Sequence, residues 1–308
     1  MTNEKKFHGV IVAFNSCYND EGEVDPQRAK AYTRFLLDRG VNGLYVGGST
    51  GEGMLQSADE RKRVLEAVLE ENAGQGTVIA HIGAITTKES VELARHAELA
   101  GADAISSVPP YYYRVSEQGA AKHWNAILAA TSLPFIIYHI PATTGFALTP
   151  SLLRQMVQND QVIGVKITSP SPYELQQFKA IGGERFHMFN GPDEQYLAGR
   201  VMGASAGIGG TYGAMPELFV QLERSYVAGD LAQAQKVQFQ INDIIADLLA
   251  LPVYSAMKEL LKRRGVHCGS VRAPLEEVND SHKPQLDALY RKLMGYIAEY
   301  APDTAAQA

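Results

Sequence analysis

Eight times over, the chain follows a short run of apolar and β-branched residues with a longer segment of helical period. This alternation restricts the fold more than any other feature, because strands separated by helices pair in parallel and are covered on both faces. The expected strands are His8–Phe14, Gly43–Gly47, Thr77–Ile82, Ala104–Val108, Pro134–Tyr138, Val162–Ile167, Arg185–Phe189 and the glycine-rich Ala206–Gly209. Between them, helices are expected from about Asp25 to Arg39, from a Ser57 N-cap to Asn72, from Lys88 to Ala100 and from Glu117 to Thr131. A further helix can begin at Thr149-Pro150, where proline suits the first helical position, and helices follow the last three strands. Several of the apolar runs lack polar alternation, as strands buried on two sides do.

Eight such units within residues 1–229 fit a closed (β/α)8 TIM barrel of the α/β class better than an open doubly wound sheet. No Gly-x-Gly-x-x-Gly or Walker-type loop follows the first strand, which weakens the nucleotide-binding alternative. From Asp230 the pattern changes to helices alone, about Leu231–Leu251, Val253–Arg264 and Lys283–Glu299, with no Ser/Gly-rich linker before them. Residues 230–308 are therefore expected to form a helical extension packed on the barrel, with a frayed tail from Ala301.

Charge and cysteine usage narrow the function classes. The 28 Lys and Arg against 34 Asp and Glu leave a net charge of −6, with no basic tract to meet nucleic acid or an anionic membrane. Every apolar run stops short of membrane-spanning length, and the polar segment Met1–Lys6 shows no secretory signal. Cys17 and Cys268 stand far apart without metal-type spacing, which excludes a disulfide scaffold and suits a reducing, cytoplasmic compartment. The eight histidines are scattered and form no ligand motif, so no metal is expected.

In a barrel of this kind the reactive groups come from the C-terminal ends of the strands. The second strand ends in Gly47-Gly-Ser-Thr-Gly-Glu52, whose backbone N–H groups and hydroxyls, Ser49 and Thr50, suit a carboxylate or a phosphate. An ordinary glycine turn with a capping hydroxyl suits that sequence equally. The sixth strand carries Lys166 among apolar neighbours. Desolvation disfavours an ammonium, and a neutral amine is the form that attacks a carbonyl carbon; the competing reading is a salt-bridged or snorkelling side chain. Tyr138 ends the fifth strand, either as a proton donor and acceptor or as a core aromatic with a wet hydroxyl. His139 should face away from it on an alternating strand and is read as structural. The Tyr111-Tyr112-Tyr113 run is too clustered for core alone and suits a pocket or a subunit contact. Asp193 and Glu194, after Asn190-Gly191-Pro192, bind hydroxyls or merely open the next helix.

Taken in order, Gly48-Ser-Thr-Gly-Glu52, Tyr138-x-x-Pro141 with Gly145, and Gly164-Val-Lys-Ile-Thr168 resemble the N-acetylneuraminate lyase and dihydrodipicolinate synthase family of pyruvate-dependent class I aldolases. The resemblance runs from about Phe7 to Leu293, and within the family it is strongest to the lyase branch. Synthases typically carry an arginine two residues after the proline of Tyr-x-x-Pro, and Thr143 stands there instead. Three positions depart from the lyase pattern as well: Gly210 in place of a serine, Pro192 in place of an aromatic residue, and His139 in place of an asparagine.

The resemblance implies that Lys166 forms a Schiff base with a 2-oxo acid, with Tyr138, Ser49 and Tyr112 in the catalytic set. It implies that Ser49 and Thr50 hold the substrate carboxylate, and that Thr168, Gly191, Asp193, Glu194 and Gly210 line the sugar-chain side. The implied reaction is reversible cleavage of a 2-oxo-3-deoxy sugar acid, N-acetylneuraminate foremost, to pyruvate and N-acetylmannosamine. Cleavage of another 2-keto-3-deoxy sugar acid or of 4-hydroxy-2-oxoglutarate, or dihydrodipicolinate synthesis, is the alternative. No cofactor beyond the covalent lysine is implied, the partner is a small molecule, and the assembly is a homotetramer.

Overall fold

A computed structural model of the chain describes residues 6–300. Eight parallel strands close on themselves: β1 (Gly9–Ala13), β2 (Gly43–Val46), β3 (Thr77–His81), β4 (Ala104–Ser107), β5 (Phe135–His139), β6 (Val162–Ile167), β7 (His187–Asn190) and β8 (Ala206–Gly209). Each pairs with its successor, and β1 returns to β8 with Ile11 opposite Ile208. The helices around them are α1 (Pro26–Leu37), α2 (Ala58–Asn72), α3 (Thr87–Ala100), α4 (Glu117–Leu128), α5 (Pro141–Thr144) and α6 (Pro150–Met156). They continue as α7 (Pro172–Gly182), α8 (Tyr196–Val201), α9 (Pro216–Val227), α10 (Leu231–Leu248), α11 (Val253–Arg263) and α12 (Lys283–Ala298).

Strand alternation divides the core in two. Val10 and Val12 of β1 face the helices, and with them lie Leu44, Val78, Ile105, Ile137 and Val165. Ile11, Ala13, Tyr45, Ile79, Ala104, Ile136, Tyr138, Phe189, Ala206 and Ile208 face inward and fill the barrel. Phe7 plugs the lower end, its ring 5.4 Å from His187 and 6.4 Å from Phe189. On β6 the register slips at Ile163, so that Phe135 pairs with Val162 while Ile136 pairs with Gly164. This bulge sets the phase that turns Lys166 inward opposite Tyr138.

Helix starts follow local chemistry. Asp25, Thr86, Ser116, Thr149 and Ser171 each accept a backbone N–H from the first turn of the helix that follows. Ser57 and Glu60 form a reciprocal capping box at α2. Such caps contribute about 1 kcal/mol each.

Differences from the sequence expectation are small and have causes. Pro134 lacks an N–H for the ladder, so β5 begins one residue later and extends to His139. A turn bonding the Phe186 N–H to the Gly183 carbonyl at 3.2 Å delays β7 to His187. The one-turn α5 went unforeseen; Gly145 ends it in the left-handed region at φ 66. Pro252 stops α10 at Leu248, short of the expected Leu251. The frayed tail expected from Ala301 lies outside the described residues.

The last three helices share the helix-facing core. Ile241, Ile244 and Leu248 of α10, Leu260 and Leu261 of α11, and Leu286, Leu289 and Leu293 of α12 lie in one cluster with Leu218, Phe219 and Leu222 of α9. Cys17 and Cys268 are both free and buried. Among the described residues no helix is long and apolar enough to cross a membrane.

Candidate functional site

Lys166 lies inside the upper barrel, paired in register with Tyr138 on one side and Phe189 on the other. It is 5% exposed. Its Nζ sits 4.1 Å from the ring centroid of Tyr138 and 4.3 Å from that of Tyr45, and it joins no ion pair among the described residues. An amine held between two aromatic faces has lost most of its water without gaining a carboxylate.

The phenols are fixed separately. Tyr138 Oη accepts from Thr168 Oγ1 at 3.4 Å, and the Thr168 N–H is tied to the His139 carbonyl at 2.8 Å. Tyr45 Oη donates to Ser106 Oγ at 3.0 Å, and burial pushes its phenol well above the ordinary range, which keeps it protonated. His81 on β3 completes the enclosure, its ring 5.8 Å from Tyr45 and 6.0 Å from Tyr138. Its Nδ1 meets the Gly47 carbonyl at 3.1 Å, and burial, with Arg61 nearby, holds the imidazole neutral.

Gly191 brings the end of β7 against this group. A Cβ there would stand 2.1 Å from Thr168 Oγ1, so only glycine permits the approach. Asp193 follows, buried, its Oδ2 accepting the Thr211 N–H at 2.7 Å and the Thr211 hydroxyl at 2.6 Å. Burial lifts this carboxyl to about 6, against the pull of the Thr211 hydrogen bonds and of a Lys166 ammonium. Asp193 Oδ2 is thus tied to the loop after β8, and the neighbouring Glu194 is exposed.

The loop after β2 reaches the same mouth. Ser49 is exposed and Thr50 half-buried, and their backbone N–H groups meet no partner among the described residues. Gly210 faces Thr50: a Cβ on it would lie 2.7 Å from Thr50 Oγ1. The loop after β2 and the loop after β8 therefore adjoin. Tyr112 stands apart, 84% exposed at φ 79 with its ring 5.1 Å from that of Tyr113. His139 points into the helix layer, as alternation requires, with Nδ1 accepting the Leu148 N–H at 3.3 Å and Nε2 3.4 Å from Glu174.

The C-terminal end of the barrel thus gathers a buried amine without an ion pair, a phenol beside it, and a loop after β2 with free backbone amides. A family model described as the dihydrodipicolinate synthetase family matches residues 6–293. The chain belongs to that family. It is 45% identical over 284 residues to an N-acetylneuraminate lyase of Mediterraneibacter gnavus, covering 91% of this chain and 90% of that protein. It is 36% identical over 292 residues to an N-acetylneuraminate lyase of Salmonella agona, covering 94% and 98% of the two. Among solved structures, a catalytic lysine mutant of the Ruminococcus gnavus sialic acid aldolase superposes with a TM-score of 0.95 at 41% identity, over 97% of this chain and all (100%) of that one.

Several residues of this family member escaped the sequence reading. Tyr45 and His81 line the amine enclosure, and strand alternation alone would have turned both inward. Tyr254, on α11, is half-buried near the same mouth, where burial and the neighbouring Tyr138 raise its phenol. Glu52, in the loop after β2, and its buried partner Lys258 lie 2.7 Å apart, and nothing local in the sequence announces the pair.

Proposed function

We propose that this protein is a Schiff-base-forming aldolase that reversibly cleaves N-acetylneuraminate to pyruvate and N-acetylmannosamine. The observation that carries the reading is the Lys166 amine, buried against two tyrosine faces and free of any carboxylate. The high identity to curated lyases over nearly the whole chain supports the substrate.

In this reading the Lys166 amine attacks the C2 ketone of the open-chain sugar acid, and loss of water leaves a protonated imine. The C3–C4 bond then breaks, its electron pair moving into the iminium to give an enamine, while the C4 hydroxyl gives up its proton as the aldehyde leaves. Tyr138 relays that proton through the substrate's own carboxylate. Proton uptake at C3 and hydrolysis of the imine return pyruvate and the free amine. The Ser49 and Thr50 amides and hydroxyls hold the carboxylate. Thr168, Gly191, Asp193, Glu194 and the Gly210 loop face the sugar chain. The iminium is the electron sink, so no further cofactor is called on.

We place the protein in the cytoplasm, where its two free thiols stay reduced, and in a homotetramer. The exposed Tyr112 and Tyr113 are the aromatic surface that a second copy would cover. In that assembly Tyr112 joins the catalytic set. A substrate panel tests the function: pyruvate release should be fastest from N-acetylneuraminate. Faster release from a 2-keto-3-deoxy sugar acid or 4-hydroxy-2-oxoglutarate would reassign the substrate.

A further inference from the structure

The loop after β2 is clamped from behind by α11 and the segment that follows it. Glu52, at φ 55 and ψ 26, is a left-handed residue that is not glycine. Its side chain is 0% exposed, with Oε1 2.7 Å from Lys258 Nζ of α11. Its Oε2 accepts the Arg272 backbone N–H at 2.8 Å. Lys258 also donates to the Ser270 carbonyl at 2.7 Å and lies over the Tyr18 ring at 4.4 Å. Arg272 donates to the Leu55 carbonyl at 3.1 Å and pairs with Glu60 of the α2 capping box. On the other flank, Ser16 Oγ and Gln56 Nε2 both donate to the Gly51 carbonyl, at 2.7 and 3.1 Å.

Two features of this clamp work against stability. A left-handed non-glycine residue is strained, and a buried ion pair contributes little beyond what an apolar pair of the same volume would. What the clamp does provide is geometry. The Glu52 N–H closes a turn on the Ser49 carbonyl at 3.0 Å and the Gly53 N–H closes another on the Gly48 carbonyl at 3.1 Å. Holding Glu52 therefore holds the turn whose Ser49 and Thr50 amides stay free.

We propose that Glu52 and Lys258 are positioning residues for the substrate carboxylate: their ion pair, completed by the Arg272 amide, lets α11 and the segment after it fix the turn that presents Ser49 and Thr50. The inference rests on the carboxylate-holding role given to those two residues above. It is tested on the full-length protein with Lys258→Met, Lys258→Arg and the double variant Glu52→Gln/Lys258→Met. The readouts are the pyruvate half-saturation of borohydride trapping on Lys166, and KM and kcat for N-acetylneuraminate.

Lys258→Met and the double variant should raise half-saturation and KM about tenfold with kcat changed less than about threefold, the pattern of lost uniform binding. Lys258→Arg should recover most of the affinity. The double variant leaves no buried charge unpaired, so it reports on positioning even where the single variant does not fold. A folded double variant with unaltered half-saturation and KM, or with a loss confined to kcat, overturns the proposal. Absence of pyruvate trapping in the unaltered protein overturns the Schiff-base reading instead, and shows before any variant is made.

Discussion

Two lysines are buried to almost the same degree, Lys166 at 5% and Lys258 at 3% exposure, yet their surroundings are opposite. Lys258 has a carboxylate at 2.7 Å and a carbonyl at 2.7 Å, the arrangement that makes a buried ammonium tolerable. Lys166 has two tyrosine faces and no carboxylate within ion-pair distance among the described residues, the charge of Asp193 reaching it only from farther off. Burial alone therefore does not mark a reactive amine. The missing ion-pair partner is what sets Lys166 apart, and it is the geometry on which the proposed condensation with a ketone rests.

The contrast can be broken by exchanging each amine for its apolar isostere. Lys166→Met should abolish turnover by about 10⁴-fold or more, while the denaturant midpoint stays level or rises, since no partner is orphaned. A marked loss of stability with activity retained would invert the assignment. Lys258→Met should do the reverse: it strands Glu52 and costs about 3–5 kcal/mol in urea unfolding, with turnover at saturating substrate largely kept. An unchanged midpoint would show that the pair is not the buried clamp described.

Smaller effects sharpen the picture around Lys166. Tyr138→Phe should slow cleavage about 10²- to 10³-fold while pyruvate is still trapped on the lysine. Equal cleavage rates in variant and parent would remove the phenol from the proton path. Asp193 tests the electrostatics at lower stakes. Because burial raises its carboxyl to about 6, the folded chain holds this proton more tightly than the unfolded chain does. Its contribution to stability is complete below about pH 4 and fades as pH rises through about 6, a change of about 3 kcal/mol. Asp193→Asn should flatten that part of the profile of unfolding free energy against pH, and an identical slope in both proteins would count against the raised value.

The barrel was legible because each strand is a short apolar run and many of the helices announce their start, as Ser57 and Thr149 do. Lys166 and Tyr138 were legible for a related reason: a polar residue closing an apolar strand stands out against its neighbours. Tyr45 and His81 were not, since an aromatic ring inside a strand is ordinary core until three-dimensional closure sets it against an amine. The Glu52–Lys258 pair joins residues more than two hundred positions apart, and no local spacing encodes it. The Ile163 bulge, which decides which face Lys166 takes, leaves no mark in composition either. Tyr112, exposed on a left-handed backbone, has a setting within one chain that explains little about its residue type.

The central claim is most directly tested by incubating the protein with pyruvate and borohydride, digesting it and mapping the adduct by mass spectrometry. The account predicts one pyruvate-derived group, carried on the peptide containing Lys166. An unmodified Lys166 peptide, or an adduct on Lys258 or a surface lysine in its place, would contradict it.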